Sequence, residues 1–358
     1  MMNYLSRGLI TFSLLVTSNV LFSQLGGQAL YAFLELPANA RVAALGGHAN
    51  GVVDMDPALS WVNPASSNKL KSGGISFTQS YLFEDISHGS FLYNHYVDKW
   101  DLNFHGGVRY INYGEFTGRD ATGALTNNFE ASEVALMLGL GKRLYERLAV
   151  GANLLYVNSA METYSSNAVA ADLGLIYSVD EKRLSFALLL KNAGWQLNSY
   201  SPGQKGNLPT DLQLSFTKRL EYLPFRFSIL YHHLNRWDIN YYDADLEPEI
   251  LILGGSEEIS EPNLGLDNFL RHFSINGELL IGEKEGLRLQ FGYNHLRQRE
   301  MQLVSWSSLN GLSLGLELKL NRFRFGYSRG RYHLAGSSNQ ISISTNINRF
   351  GKNKLARN

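Results

Sequence analysis

From Gly73 onward the chain repeats one unit, about ten residues in which apolar and polar side chains alternate, followed by a break. Leu312, Leu314, Leu316, Leu318 and Leu320 alternate with Ser313, Gly315, Glu317 and Lys319. Phe323, Phe325 and Tyr327 alternate with Arg322, Arg324, Gly326 and Ser328, and Leu287, Leu289, Phe291 and Tyr293 with Arg288, Gln290, Gly292 and Asn294. A period of two puts the two sets on opposite faces of a strand. About fourteen strands are predicted, near residues 74–81, 87–97, 100–112, 130–142, 147–158, 168–179, 183–192, 210–219, 224–234, 271–281, 286–297, 311–320, 322–330 and 340–348.

Alternation also fits a soluble sandwich, and two features choose between the readings. The polar face carries Glu278, Arg288, Glu317, Lys319, Arg322 and Arg324, while the apolar face is bulky and nearly free of charge. That is the pattern of a lipid-facing exterior around a wet interior. The breaks also alternate in length. Val97–Trp100, Lys142–Arg147, Val179–Arg183, Leu220–Pro224, Gly282–Gly286 and Leu320–Arg322 are short, whereas Asn112–Glu130, Asn158–Ala168, Asn192–Thr210, Asn235–Arg271 and Gln298–Gly311 are longer. Bacterial outer-membrane barrels are built this way, with tight turns in the periplasm and long loops at the cell surface. An even strand count then leaves both termini in the periplasm. The predicted class is all-β, an antiparallel transmembrane β-barrel of about 14 strands, closed because an unpaired edge in lipid costs several kcal/mol per orphaned polar group.

Composition sharpens this picture. Aromatic residues make up 12% of the chain and 34 residues are Gly, which suits interfacial girdles and a crowded lumen. The formal net charge is zero and cysteine is absent, so no basic field argues for nucleic acid and no thiolate chemistry is available. Residues 1–23 read as a signal peptide, with Arg7 ahead of the apolar run Gly8–Phe22 and Ser23 before Gln24. Residues 24–72 then form an amino-terminal hatch, 73–350 the barrel and 351–358 a carboxyl-terminal tail.

The hatch does not alternate. Pro37 followed by Ala38–Leu45 suggests a short helix with Pro in its first turn, ended by Gly46-Gly47, and Asn63-Pro64-Ala65 reads as an N-cap and first turn. Its place between signal and first strand suits folding into the periplasmic mouth, as a static plug or as a gate. Tyr31-Ala32-Phe33-Leu34, Pro37, Ala40-Arg41, Ala44-Leu45-Gly46-Gly47, Asp54, Asp56-Pro57 and Asn63-Pro64-Ala65 together resemble the PorQ family of outer-membrane components of the type IX secretion system. That family belongs with PorV to a wider group similar to the FadL fatty-acid transporters, whose barrels have fourteen strands and an amino-terminal hatch with an Asn-Pro-Ala element. The motif match covers roughly residues 26–70, and the rest agrees in architecture. The resemblance implies a non-enzymatic barrel that docks or anchors cell-surface machinery for secreted cargo: a PorZ-like surface protein and the PorU/PorV attachment complex. It implies Arg41, Gly46, Gly47, Asp54, Asp56, Pro57, Asn63, Pro64 and Ala65 as the hatch motif.

Candidate chemistry is sparse, and no cofactor or metal is expected. His232 and His233 near Asp238, Asp243 and Asp245 offer a catalytic pair, but adjacent strand residues point to opposite faces, so girdle or lumen histidines are the expectation. The loop Trp237–Leu270 carries Asp238, Asp243, Asp245, Glu247, Glu249, Glu257, Glu258, Glu261 and Asp267 without Lys or Arg, either a solvated acidic face or a partner-docking loop. Its carboxylates do not match the EF-hand spacing. Arg109, Arg226, Arg288, Glu317, Lys319, Arg322 and Arg324 face inward and are expected to pair with one another and with Asp54 or Asp56 rather than line an open channel. The alternative function is a FadL-like transporter of hydrophobic small molecules, which needs an apolar lumen pocket near Leu34, Leu36, Leu45 or Trp61.

Overall fold

A computed structural model of the chain describes residues 29–120, 122–203, 205–239, 264–282, 284–301, 310–333 and 336–351. The signal-peptide reading and the tail beyond residue 351 lie outside them.

Fourteen strands follow one another in order: β1 (Gly74–Tyr81), β2 (Ser87–Val97), β3 (Leu102–Phe116), β4 (Phe129–Tyr145), β5 (Leu148–Met161), β6 (Tyr164–Val179) and β7 (Leu184–Asn198) form the first half. The second half is β8 (Asp211–Arg219), β9 (Phe225–Tyr231), β10 (Phe273–Ile281), β11 (Leu287–Asn294), β12 (Leu312–Leu320), β13 (Phe323–His333) and β14 (Gly336–Asn346). Each strand pairs antiparallel with the next, and β1 closes on β14 with Gly74 opposite Asn346, so no edge is left. Asp101, Arg183, Glu285 and Asn321 adopt left-handed backbone in the tight turns of one rim.

Several boundaries depart from the sequence reading, most of them because strands run further toward the long-loop rim, as β3, β7 and β14 do. The predicted long connection Asn158–Ala168 is paired strand, because β5 and β6 run on until Met161 faces Tyr164. β9 and β11 stop early, at Tyr231 and Asn294. The Asn294 side chain accepts from Arg297 N at 3.0 Å and caps a short helix, His295–Glu300, which takes the residues that alternation had assigned to the strand.

The outer surface is an apolar belt. Leu138, Leu154, Leu173, Leu214, Leu314 and Ile341, on six of the strands, are exposed on it. Tyr145, Tyr177 and Tyr222 border it near the tight turns, and Phe116, Tyr164 and Trp195 near the opposite rim. In water such a surface would be a gross liability; in a bilayer it is the solvated face, flanked by aromatic girdles. Among the described residues no helix is long and apolar enough to cross a membrane.

Inside, the barrel is two-sided. Leu92, Ile111, Ala135, Met137, Leu155, Val157, Ala168 and Ala170 of β2–β6 pack in one buried cluster with Tyr31, Phe33, Leu34 and Trp61. β4 is apolar on both faces, with Leu136 and Leu138 outside and Ala135 and Met137 inside. Across the lumen, β9–β12 turn the buried charges Arg226, Glu278, Arg288 and Glu317 inward. Residues 29–73 run between these halves. Ala29 bridges Asn207 in the β7–β8 connection, and Lys69 meets Asp98 in the β2–β3 turn at 2.7 Å. The segment therefore passes through the lumen from the long-loop rim to the tight-turn rim.

Candidate functional site

The segment's helix spans Ala40–Ala44. Asn39 caps it by accepting from Val42 N at 2.7 Å, so Pro37 lies outside the helix rather than in its first turn. Gly46 and Gly47, both at positive φ, end it as expected. The helix reaches the wall because the wall gives way. A Cβ on Gly292 would lie 2.3 Å from Gly46 N, and one on Gly315 2.4 Å from the Ala44 Cβ.

From this helix Arg41, fully buried, reaches the charged half of the lumen. Its Nε donates to Glu278 Oε1 at 2.8 Å, and its terminal nitrogens meet Asp54 at 2.6 Å and Asp56 at 3.2 Å. Arg226 donates from Nε to Glu278 Oε2 at 2.7 Å and reaches Asp54 at 3.2 Å. Arg288 pairs with Glu317 at 3.0 Å and lies 3.5 Å from Asp54, and Arg324 completes the set on Glu317 at 2.7 Å. Arg41, Arg226, Arg288 and Arg324 thus meet Asp54, Asp56, Glu278 and Glu317 in a balanced network. Balance matters because an uncompensated buried charge is costly. The expected pairing with Asp54 and Asp56 holds for these groups.

Two other predicted lumen cations behave differently. Arg109 donates to Leu34 O at 2.9 Å and lies 5.1 Å over the Trp61 ring. Arg322 precedes β13 in a tight turn and stacks on Phe350, 4.9 Å from its ring centre, so its place is the rim and not the lumen.

The Asn-Pro-Ala element seats on the other side. Asn63 accepts from Ala65 N and donates to Asn50 O, each at 3.0 Å, and Pro64 opens a 3-10 turn. Gly141, Gly151 and Gly174 stand side by side across β4, β5 and β6 beneath it. A Cβ on Gly151 would sit 2.4 Å from the Pro64 carbonyl carbon, and one on Gly174 2.0 Å from Asn63 Oδ1. The Pro57 carbonyl accepts from Asn94 Nδ2 at 3.3 Å. All nine predicted hatch-motif residues therefore lie within the segment that crosses the lumen. The glycine row that receives them was visible in the sequence only as gaps in the inward face.

Between segment and wall lies a small cavity. Leu36, Pro37, Val42 and Trp61 line it from the segment, with Arg109, Lys191 and Gln213 from the wall. Of the residues expected at an apolar pocket, Leu36 and Trp61 line it and Leu34 belongs to the adjoining apolar cluster. Leu45 packs instead into the segment's own core with Val42, Ala49, Val52, Leu59 and Val62.

At the long-loop rim, Asp238 falls among the described residues, whereas Asp243, Asp245, Glu247, Glu249, Glu257, Glu258 and Glu261 lie outside them. Asp267, on the helix Leu264–Arg271, pairs with Arg271 at 2.8 Å and with Arg299 at 2.7 Å. Burial opposes its charge, but the arginines prevail and hold its carboxyl below the ordinary aspartate range. His232 and His233 do not diverge as expected. β9 has ended at Tyr231, and the left-handed backbone of His233 (φ 57°) turns its ring back until the two Nδ1 atoms are 2.6 Å apart.

No protein-family model matches the sequence, and no curated protein does. Solved barrels of similar shape include the toluene transporter TodX of Pseudomonas putida, at 12% identity over 86% of this chain and 97% of that one, with a TM-score of 0.48. A FadL homologue from Pseudomonas aeruginosa matches at 7% identity over 87% of this chain and 98% of that one, with a TM-score of 0.47. At such identities and scores these are likenesses only, and the fold described above rests on the strand pairing itself.

Proposed function

We propose that this chain is a non-enzymatic outer-membrane barrel of FadL-like type that takes up small hydrophobic molecules, with residues 29–73 as its gate. Its tight turns face the periplasm and its long loops the cell surface, as in bacterial barrels generally. The observation that carries the reading is the apolar half-lumen of β2–β6, which continues into the cavity at Leu36 and Trp61. The cavity is only water-sized as it stands, so a ligand enters when the gate moves, and Arg109 and Lys191 beside it then suit an anionic head on an apolar body. The test is saturable binding of radiolabelled decanoate and of toluene to the purified chain in detergent. Binding that weakens in Leu36→Asp and Trp61→Ala supports uptake; no saturable binding of either probe ends this reading.

A second reading is favoured by the balanced charge network and the glycine seats, which hold the segment firmly enough for a fixed scaffold. On that reading the barrel belongs to a PorQ-like branch of the type IX secretion system and docks a PorZ-like surface protein beside a PorU/PorV complex through its acidic loop. Co-purification from gently solubilised membranes tests it: a stoichiometric surface partner lost on deleting residues 240–263 supports docking, and a barrel recovered alone counts against it.

A further inference from the structure

We infer that Asp211, His232 and His233 form a binding site for one divalent transition cation of the zinc class. Each offers a ligand atom, and these atoms all lie within 4.8 Å of one another. The site is built where β8 begins and β9 has just ended. His233 N donates to Asp211 Oδ1 at 2.6 Å, and Leu234 N bonds to Leu212 O at 2.9 Å, so the backbone continues the pairing of the two strands beyond their ends.

Two facing Nδ1 atoms at 2.6 Å share a single proton, an arrangement that a cation replaces by parting the rings slightly. Tetrahedral bonds of about 2.0–2.1 Å set neighbouring nitrogens roughly 3.4 Å apart, so the movement needed is under about 1 Å. Two imidazoles and a carboxylate are a borderline ligand set, suited to zinc, cobalt or nickel and unsuited to calcium or magnesium.

The supporting contacts are those of a held ligand set. Gln213 Nε2 donates to Asp211 Oδ2 at 2.5 Å, and Gln213 Oε1 in turn accepts from Asn50 of the lumen segment. His272 bonds through Nδ1 to the His232 carbonyl at 2.8 Å, and His48 stacks on the His232 ring at 5.3 Å. Such outer contacts fix ring orientation at metal centres. His232 is only 1% exposed, yet its Nε2 has no hydrogen-bond partner among the described residues. With three protein ligands, a fourth position stays open to water.

The test is titration of the purified full-length chain, carrying a Strep tag and no polyhistidine, with Co2+ and Zn2+ chloride. The expected result is one cation per chain, a tetrahedral Co2+ absorption band, and displacement of Co2+ by Zn2+. His232→Gln and Asp211→Asn should weaken binding more than roughly tenfold, as should His233→Gln, with Gln213→Ala milder. His295→Gln, at a separate helix, should bind as wild type. Heat-modifiable migration on gels shows that each variant is a closed barrel. Absence of stoichiometric binding, or binding unchanged in folded His232→Gln and His233→Gln chains, overturns the proposal.

Discussion

Asp54 and Arg226, 172 positions apart in sequence, meet at 3.2 Å inside the barrel. The contact joins the crossing segment to the wall, and Arg41 holds the same carboxylate from the segment's own side at 2.6 Å. The segment is therefore fixed through shared carboxylates rather than through separate pairs.

Arg41→Ala should release it. The substitution leaves Asp54, Asp56 and Glu278 facing one another with a cation missing, at a cost of about 3–5 kcal/mol. Hydrogen exchange of residues 40–62 should accelerate, and ion conductance in planar bilayers should rise. Unchanged exchange and conductance in a folded variant would show that the network does not hold the segment.

Gly174→Val tests the opposite wall. Its side chain would enter the space of Asn63 Oδ1, and overpacking of this kind costs typically 1–3 kcal/mol. The expected outcome is loss of exchange protection at Asn63–Ser66 with the strand ladder intact. Protection equal to wild type would mean the seat is looser than its geometry indicates.

Leu154→Arg probes the lipid face. Near the bilayer midplane an arginine costs about 2–4 kcal/mol, and less toward the interfaces. Reversible unfolding from lipid vesicles should show that loss. Lys at the exposed rim residue Tyr222 should change stability much less. Equal effects at both positions would contradict the apolar belt.

The rim contact of Asp267 should fail in acid. Its carboxyl titrates below the ordinary aspartate value of 3.8, so its stabilising effect is complete above that value and disappears as the pH falls through the lower folded-state value. Protection factors at Leu264–Arg271 and His295–Glu300, corrected for the intrinsic pH dependence of amide exchange, should therefore fall below about pH 4 in the wild type and not in Asp267→Asn. A wild-type profile flat through this range would remove Asp267 as the tie.

The strand ladder was legible because lipid enforces apolar residues at every second outward position, as at Leu312–Leu320. β4 hid its inward face for the same reason that made it recognisable. With Ala135 and Met137 apolar inside and Leu136 and Leu138 apolar outside, its run shows little alternation to assign sides. The charge pairing of the lumen followed from the cost of lone buried ions, but which acid each arginine takes depends on segment geometry that no spacing reveals. Asn39 was a readable cap, passed over for Pro37 two positions earlier. The convergence of His232 and His233 was out of reach, because it depends on one left-handed residue that a strand periodicity treats as extended. The acidic loop stays an expectation, since most of its carboxylates fall outside the described residues.

The seam between β1 and β14 bears on how such a molecule is made. Gly74 pairs with Asn346 only after every other strand has been synthesised, and the crossing segment is the stretch of chain immediately before Gly74. If the last hydrogen bonds of the cylinder form around a segment synthesised ahead of every strand, an insertion machine that zips the seam early would leave that segment outside and yield a hollow, leaky product with a correct wall.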